Sequence, residues 1–382
     1  MRILVLNYRD RKNPNAGGAE RHLHQIFSRL VKRGHQVVLL TTSFAGAMER
    51  ETVDGIQVIR HGGDLAFQFT VAKYLKKLDK EFGFDIVFED LNKLPLFTPQ
   101  LTQKPHLIQI HHLWRNSIFA ETNFVVAFGV WLFETLIPRI YRKSRFVAVS
   151  PSTIRELEKL GIGNNRIALV YNGTNGAPAD FKKADKSESD EPYFLWLSRV
   201  HKYKGILTAL EAFSIFANKA SANACNVRLK IAGDGPMLKK LPGYIAGLDK
   251  NAKVKIADRV DLLGFVSKED KQSLMAHALA LLQTSQKEGW GLTVIEAAEL
   301  GTTTIASKVP GLVDSVLDGK TGLLFEKSNA ASCANCMARI VDIPELRETL
   351  ELGAERHAAT FSWDRAADET EKLLQSIAEN SK

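Results

Sequence analysis

Short apolar runs alternate along this chain with longer stretches whose apolar residues recur every three to four positions. Arg2–Leu6 is the first short run and predicts a strand. Ala19–Arg33 then carries Leu23, Ile26, Phe27, Leu30 and Val31 at helical spacing, and Gly34 closes it. Strands are expected next at Gln36–Thr41, Ile56–Arg60, Ile86–Glu89, Leu107–His111, Phe146–Ser150 and Ile167–Tyr171. Gly173–Pro192 breaks the pattern, being rich in Gly, Ala, Asp, Lys, Ser and Glu, and reads as a linker. Strands restart at Tyr193–Leu197, Val227–Ala232, Val260–Leu263, Ala280–Gln283, Thr303–Ala306 and Gly322–Phe325. An amphipathic helix is expected at Trp363–Ile377. Strand–helix alternation of this kind predicts α/β layers on parallel sheets.

Length sharpens this into two domains, since 382 residues exceed one ordinary core. The expected boundaries are a first domain over 1–173, a linker over 174–192, a second domain over 193–360 and a terminal helix over 361–382. Three cysteines, Cys225, Cys333 and Cys336, are too few for a disulfide framework. Cys333 and Cys336 form a C-x-x-C that lacks two further zinc ligands at suitable spacing, so one face of a helix is the expectation. The N-terminal run is too short for a signal peptide, and no run approaches the ~20 apolar residues that span a bilayer. A cytoplasmic protein is expected, and the Asn172-Gly-Thr sequon then has no consequence.

The formal charge of +8 is unevenly placed. Residues 1–170 hold 24 Lys/Arg against 15 Asp/Glu, or +9, and the remainder 27 against 28, or −1. An anionic partner of the first half is implied: a membrane surface, a phosphorylated acceptor or nucleic acid. For nucleic acid the support is charge alone, without interleaved aromatics or a known motif. Phe124–Phe133 is a ten-residue apolar run followed by Arg139, Arg142, Lys143 and Arg145. A helix buried in the first domain is the preferred expectation; an apolar helix with basic flanks can instead lie in a membrane interface. Lys73, Lys76, Lys77 and Lys80 make a second basic stretch.

Candidate chemistry concentrates at 285–299, Ser-Gln-Lys-Glu-Gly-Trp-Gly-Leu-Thr-Val-Ile-Glu-Ala-Ala-Glu. A loop opening into a helix exposes backbone N–H groups and a positive dipole end, an anion site. Gly289 and Gly291 permit close approach of the backbone to a ligand. Glu288 and Glu296 would repel a phosphate but would accept hydrogen bonds from hydroxyls on either side of it, which fits a sugar nucleotide. After the Tyr193–Leu197 strand, Arg199 and Lys204 are placed to meet the charge that grows on a departing diphosphate. Gly17-Gly18-Ala19-Glu20 opens a helix after the first strand, with Asn7 and Arg9 nearby in sequence. His111-His112 closes a later strand.

These segments resemble the retaining glycosyltransferases of family four (glycosyl transferases group 1), and the likeness runs from Gly17-Gly18 to Phe361-Ser362-Trp363. It implies the GT-B fold: two Rossmann-like domains facing each other across a cleft, with a C-terminal helix crossing back to the first. By this resemblance Arg199 and Lys204 hold the donor diphosphate, Glu288 contacts donor-sugar hydroxyls and Glu296 the ribose. Leu292 and Thr293 offer N–H groups to the phosphates, Gly264-Phe265-Val266 brackets the base, and the Gly17–Gly18 loop lies across the diphosphate. Gly233-Asp234-Gly235-Pro236 matches a family turn. His111 matches the His beside the reacting sugar, while His112 stands where Asp is common. Thr303 replaces a usual Pro and Asp314 a frequent Glu.

No Asp-x-Asp lies at a strand end; the nearest triplet, Glu188-Ser189-Asp190, is in the linker. The resemblance implies no metal and no other cofactor, the Arg/Lys pair taking a metal's place. It implies retaining transfer of a sugar from a nucleotide-sugar to a hydroxyl of a glycan or lipid-linked acceptor, in the cytoplasm or at the membrane periphery. The alternatives are a GT-B epimerase or phosphorylase, or a catalytically silent sugar-binding protein.

Overall fold

β1 (Arg2–Leu6) sits inside an eight-stranded sheet whose middle strands are fully buried, which is why they read as unbroken apolar runs. Its companions are β2 (Gln36–Thr41), β3 (Arg50–Val53), β4 (Ile56–Arg60), β5 (Ile86–Leu91), β6 (His106–Ile110), β7 (Arg145–Ala148) and β8 (Ile167–Leu169). The order is β3-β4-β2-β1-β5-β6-β7-β8. Every neighbouring pair is parallel except β3 with β4, which an Asp54-Gly55 turn joins as a hairpin. From β1 the chain builds outward on one side and then resumes at β5 on the other. The β1/β5 boundary is therefore the switch point of this sheet.

The computed structural model describes residues 1–92, 94–178, 181, 191–219, 226–250 and 252–380. The chain divides into two units, Met1–Gly173 with Phe361–Lys382, and Thr174–Thr360. The last helix, Trp363–Glu379, belongs to the first unit despite its distance in sequence. It packs on helix Gly18–Lys32, with Trp363 fully buried and its ring 5.9 Å from that of His22. Arg29 meets Asp364 at 2.6 Å, and Arg33 meets Asp368 at 2.6 Å and Glu371 at 2.7 Å.

The second unit holds β9 (Tyr193–Leu197), β10 (Arg228–Ala232), β11 (Val260–Gly264), β12 (Ala280–Gln283), β13 (Thr304–Ser307) and β14 (Gly322–Phe325), all parallel, in the order β11-β10-β9-β12-β13-β14. Its switch point lies between β9 and β12. Phe194 and Trp196 of β9 pack with Phe213 and Phe216 of helix Ile206–Lys219 and with Met337 and Ile340 of helix Ala330–Asp342. Cys333 and Cys336 lie on the buried face of that last helix, and burial raises both thiols, Cys336 to about 11.

Two expectations need adjustment. The stretch read as a linker is partly folded onto the second unit: the Gly176 N–H donates to Glu299 at 2.9 Å, and Phe181 packs beside β9. Residues 182–190, including Glu188-Ser189-Asp190, and Cys225 lie outside the described residues. The helix expected to be buried, Phe124–Ile140, buries only the stripe Ala127, Glu134 and Ile137, and exposes Phe124, Val125, Val126, Phe128 and Leu132.

Candidate active site

In the second unit the loops after β9 and β12, flanking the switch point, are locked together. The 3-10 turn Lys202–Lys204 ends at Gly205, whose φ is +71°. A Cβ there would stand 1.9 Å from the Thr284 carbonyl oxygen, so only glycine lets the two loops touch. Thr284 Oγ1 accepts from Trp196 Nε1 at 3.0 Å and lies 2.8 Å from the Gly205 carbonyl. The Gln286 N–H donates to the Tyr203 carbonyl at 2.7 Å.

These ties bring the chemistry-bearing side chains together. Lys204 Nζ forms an ion pair with Glu288 Oε1, which also accepts from Ser285 Oγ at 3.1 Å. Arg199 is exposed and donates to the Tyr203 hydroxyl at 3.0 Å, and Lys204 Nζ lies 5.1 Å from the Tyr203 ring centre. Nearby His201 is pushed below its ordinary pKa by burial and by the positive charges of Arg199 and Lys204. The local field thus favours an anion.

Four residues after Glu288 begins the helix Leu292–Glu299, capped by Gly291 in the left-handed region. The N–H groups of Leu292 and Thr293 precede its first helical hydrogen bond, as the opening donors of any helix do. Thr293 Oγ1 accepts from Gln283 Nε2 at the end of β12. Glu296 is buried on this helix and meets Lys271 of helix Lys268–His277 at 2.7 Å. Gly311, at φ +82°, admits the Glu288–Gly289 backbone to within van der Waals contact; a Cβ would stand 2.6 Å from the Glu288 carbonyl oxygen. Phe265, after β11, is 85% exposed, while Val266 packs inward. The Gly233–Pro236 segment is a brace: the Val200 N–H donates to Asp234 O at 2.8 Å, holding the loop after β9.

The first unit gathers a second group at its own switch point. Asn92, after β5, donates to Asn7 Oδ1 at 2.7 Å, and Asn7 Nδ2 donates to Arg9 O at 2.9 Å. Arg9 is engaged by Asp64 at 2.9 Å. Gly17 caps helix Gly18–Lys32, and its N–H donates to Glu20 at 2.6 Å, so this donor is used within the loop. His111 Nε2 contacts the Asp90 carboxylate at 3.1 Å, and its ring stands edge-on to His22 at 5.0 Å. Burial lowers the His111 pKa, but Asp90 and then Glu20 outweigh it and the imidazole is raised. His22, fully buried and beside His111, is lowered to about 3 and is neutral. His112 turns to the Trp114 ring instead, at 5.2 Å.

Residues 16–176 match the family described as Glycosyltransferase Family 4, and residues 179–357 match Glycosyl transferases group 1. The chain belongs to this glycosyltransferase family. An uncharacterized glycosyltransferase of Methanocaldococcus jannaschii is 26% identical over 96% of both chains. The glycogen synthase of Mycobacterium tuberculosis is 23% identical, covering 98% of this chain and 94% of that protein. Sucrose-phosphate synthase from Thermosynechococcus elongatus superposes with a TM-score of 0.81 at 21% identity, over 98% of each chain. Anabaena HepE, solved in complex with UDP-glucose, gives 0.74 at 20% identity, over 98% of this chain and 100% of that one. The fold is GT-B, two parallel-sheet Rossmann-like units.

The sequence reading of this glycosyltransferase passed over Asp90, Lys271, Gln283 and Gly311. Asp90 carries the one usable signal, a carboxylate at the end of an apolar strand run. Lys271 and Gln283 have no local signature, because their partners lie 25 and 10 residues away across loops.

Proposed function

We propose that this glycosyltransferase moves a hexose from a nucleotide-sugar to a hydroxyl acceptor with retention of configuration and without a metal ion. The observation that carries the proposal is the convergence of Arg199, Lys204 and Glu288 beside the start of helix Leu292–Glu299. Cations and helix N–H groups suit a diphosphate, and carboxylates at either side suit sugar hydroxyls. The UDP-glucose bound to the HepE relative supports a nucleotide-sugar donor.

In this reading Arg199 and Lys204 neutralise the diphosphate as the bond from the anomeric carbon to its oxygen breaks. The donor's sugar hydroxyls take over hydrogen bonds from Glu288, and the ribose hydroxyls those of Glu296. Phe265 and Val266 flank the base, and the N–H groups of Leu292 and Thr293, with the Gly291 turn, receive the phosphates. In the first unit Gly17, Gly18 and His111 serve the donor and its reacting sugar, by the family likeness. The acceptor oxygen attacks on the face the leaving group vacates, and its proton passes to the departing phosphate oxygen. A cation pair at the diphosphate supplies the charge neutralisation that a divalent ion would otherwise give.

The acceptor in this reading is a lipid-linked or cell-surface glycan precursor met at the cytoplasmic membrane periphery. The +9 of residues 1–170 supports an anionic partner. Thermal-shift screening against UDP-, GDP- and ADP-sugars identifies the donor, since a ligand bound by the native state raises its melting temperature. Donor hydrolysis and transfer are then measured in EDTA, and the anomer of the product is read by NMR. Activity that requires Mg2+ or Mn2+, or an inverted product, would refute the corresponding part.

A further inference from the structure

We infer that helix Phe124–Ile140 is a docking element that seats the first unit on an anionic lipid bilayer. The inference deepens the reading of a lipid-linked acceptor and rests on it for its purpose, while bilayer binding itself is measured independently.

The helix has two stripes. Inward, Ala127, Glu134 and Ile137 are buried, and the Glu134 carboxylate accepts from the Trp114 and Arg115 N–H groups, both at 2.7 Å. Outward, Val125, Phe128, Leu132, Thr135 and Arg139 follow one another at helical spacing and are all exposed. This stripe runs from apolar to cationic along ~21 Å, at 1.5 Å per residue. Phe124 is 72% exposed and Val125 79%, far beyond what an isolated surface apolar residue requires. Phe119, Phe124, Phe128 and Trp131 form a ladder with ring centres 5.8, 6.2 and 6.0 Å apart in turn.

Cations gather at the other end. Arg139, Arg142 and Lys143 are exposed, and the Arg115 guanidinium lies 5.8 Å from the Trp131 ring centre. Residues 115–145 carry five cations (Arg115, Arg139, Arg142, Lys143, Arg145) and two acids (Glu121, Glu134), a balance of 5 − 2 = +3. Near an anionic surface these cations are drawn to the lipid headgroups, while the apolar turns sink to the headgroup boundary. A second copy of the chain is the poorer occupant, because a two-fold interface would set +3 against +3. Among the described residues no helix is long and apolar enough to cross a membrane, so this one would lie in the interface.

The test is flotation of the 382-residue chain with vesicles of phosphatidylcholine alone or mixed with phosphatidylglycerol, at low and high salt. The wild type should float with the anionic vesicles at low salt and much less with neutral ones. Val125→Asp with Phe128→Asp should weaken binding at least tenfold, and Arg139→Glu with Arg142→Glu and Lys143→Glu should abolish the preference for anionic lipid. Donor hydrolysis should persist in both variants. If the aspartate variant loses its melting transition, Val125→Gln with Phe124→Gln carries the same test. The inference is overturned if the wild type does not float at low salt, or if the apolar-site variants float as well as wild type. It is equally overturned if light scattering shows a wild-type dimer that those variants dissolve. If vesicle binding holds while no nucleotide-sugar is turned over, the surface stands and the transferase reading fails.

Discussion

Lys204 and Glu288, 84 residues apart in the chain, share an ion pair whose side chains are only 13% and 16% exposed. Each partner thus neutralises the other; in the proposed reading a diphosphate and a polyol replace this contact. Lys204→Ala should lower kcat about 10²–10³-fold, the size of losing one transition-state donor, with a smaller effect on donor affinity. It should also lower stability, because Glu288 loses its cationic partner and keeps only Ser285 among the described residues. Lys204→Met combined with Glu288→Gln should recover the melting temperature without recovering turnover. Arg199 is exposed, so Arg199→Ala should depress turnover with little effect on melting. Wild-type turnover in Arg199→Ala would refute the leaving-group assignment.

Gly205 is a steric requirement of the site. A methyl group there would overlap the Thr284 carbonyl at 1.9 Å, in backbone of positive φ. Gly205→Ala should destabilise the second unit by more than about 2 kcal/mol, the sum of backbone strain and loop displacement. Urea unfolding measures this, and an unchanged midpoint would mean that the two loops separate freely.

Asp90 raises the pKa of His111. With the carboxylate present, the imidazole is raised despite its burial. Its contribution to stability is therefore complete below the unfolded value of about 6.5 and is lost as pH rises through the folded value. Asp90→Asn leaves burial unopposed apart from Glu20 and should move the His111 titration downward, as followed by histidine-ring NMR. The alkaline limb of kcat/KM should move with it if the charged imidazole serves the reaction. His22 has the opposite sign. Lowered to about 3, it costs stability as pH falls from about 6.5 toward 3, and His22→Gln should flatten that acid limb in denaturant melts.

The terminal helix should be held more by its buried face than by its ion pairs. Trp363 is fully buried, and Trp363→Ala should cost about 3–5 kcal/mol. Asp364 pairs with Arg29 but is 75% exposed, so Asp364→Ala should cost less than about 1 kcal/mol. Comparing the two variants by urea unfolding decides between packing and charge.

The order of strands and helices was legible because each element writes its period into a few consecutive residues. All thirteen strands expected from apolar runs are present, with ends shifted by one or two residues. β3 escaped because Arg50–Val53 is short and opens on three consecutive polar residues, although the Asp54-Gly55 turn marks the hairpin that contains it. The motif positions also fall at the carboxyl ends of parallel strands, where open α/β sheets place ligands.

The amino-acid order by itself determined which segments become strands and helices, and which loops carry cations, acids and glycines. Only the tertiary structure decided that Lys204 closes on Glu288, that Lys271 meets Glu296 and that Asp90 meets His111. The same holds for Phe124–Ile140, whose apolar composition alone does not distinguish a buried helix from one with an exposed face. Local pattern records what a residue does within its own turn or strand. Pairing between residues 25 to 84 positions apart, and which face a neighbour covers, depend on packing that no short window of sequence contains.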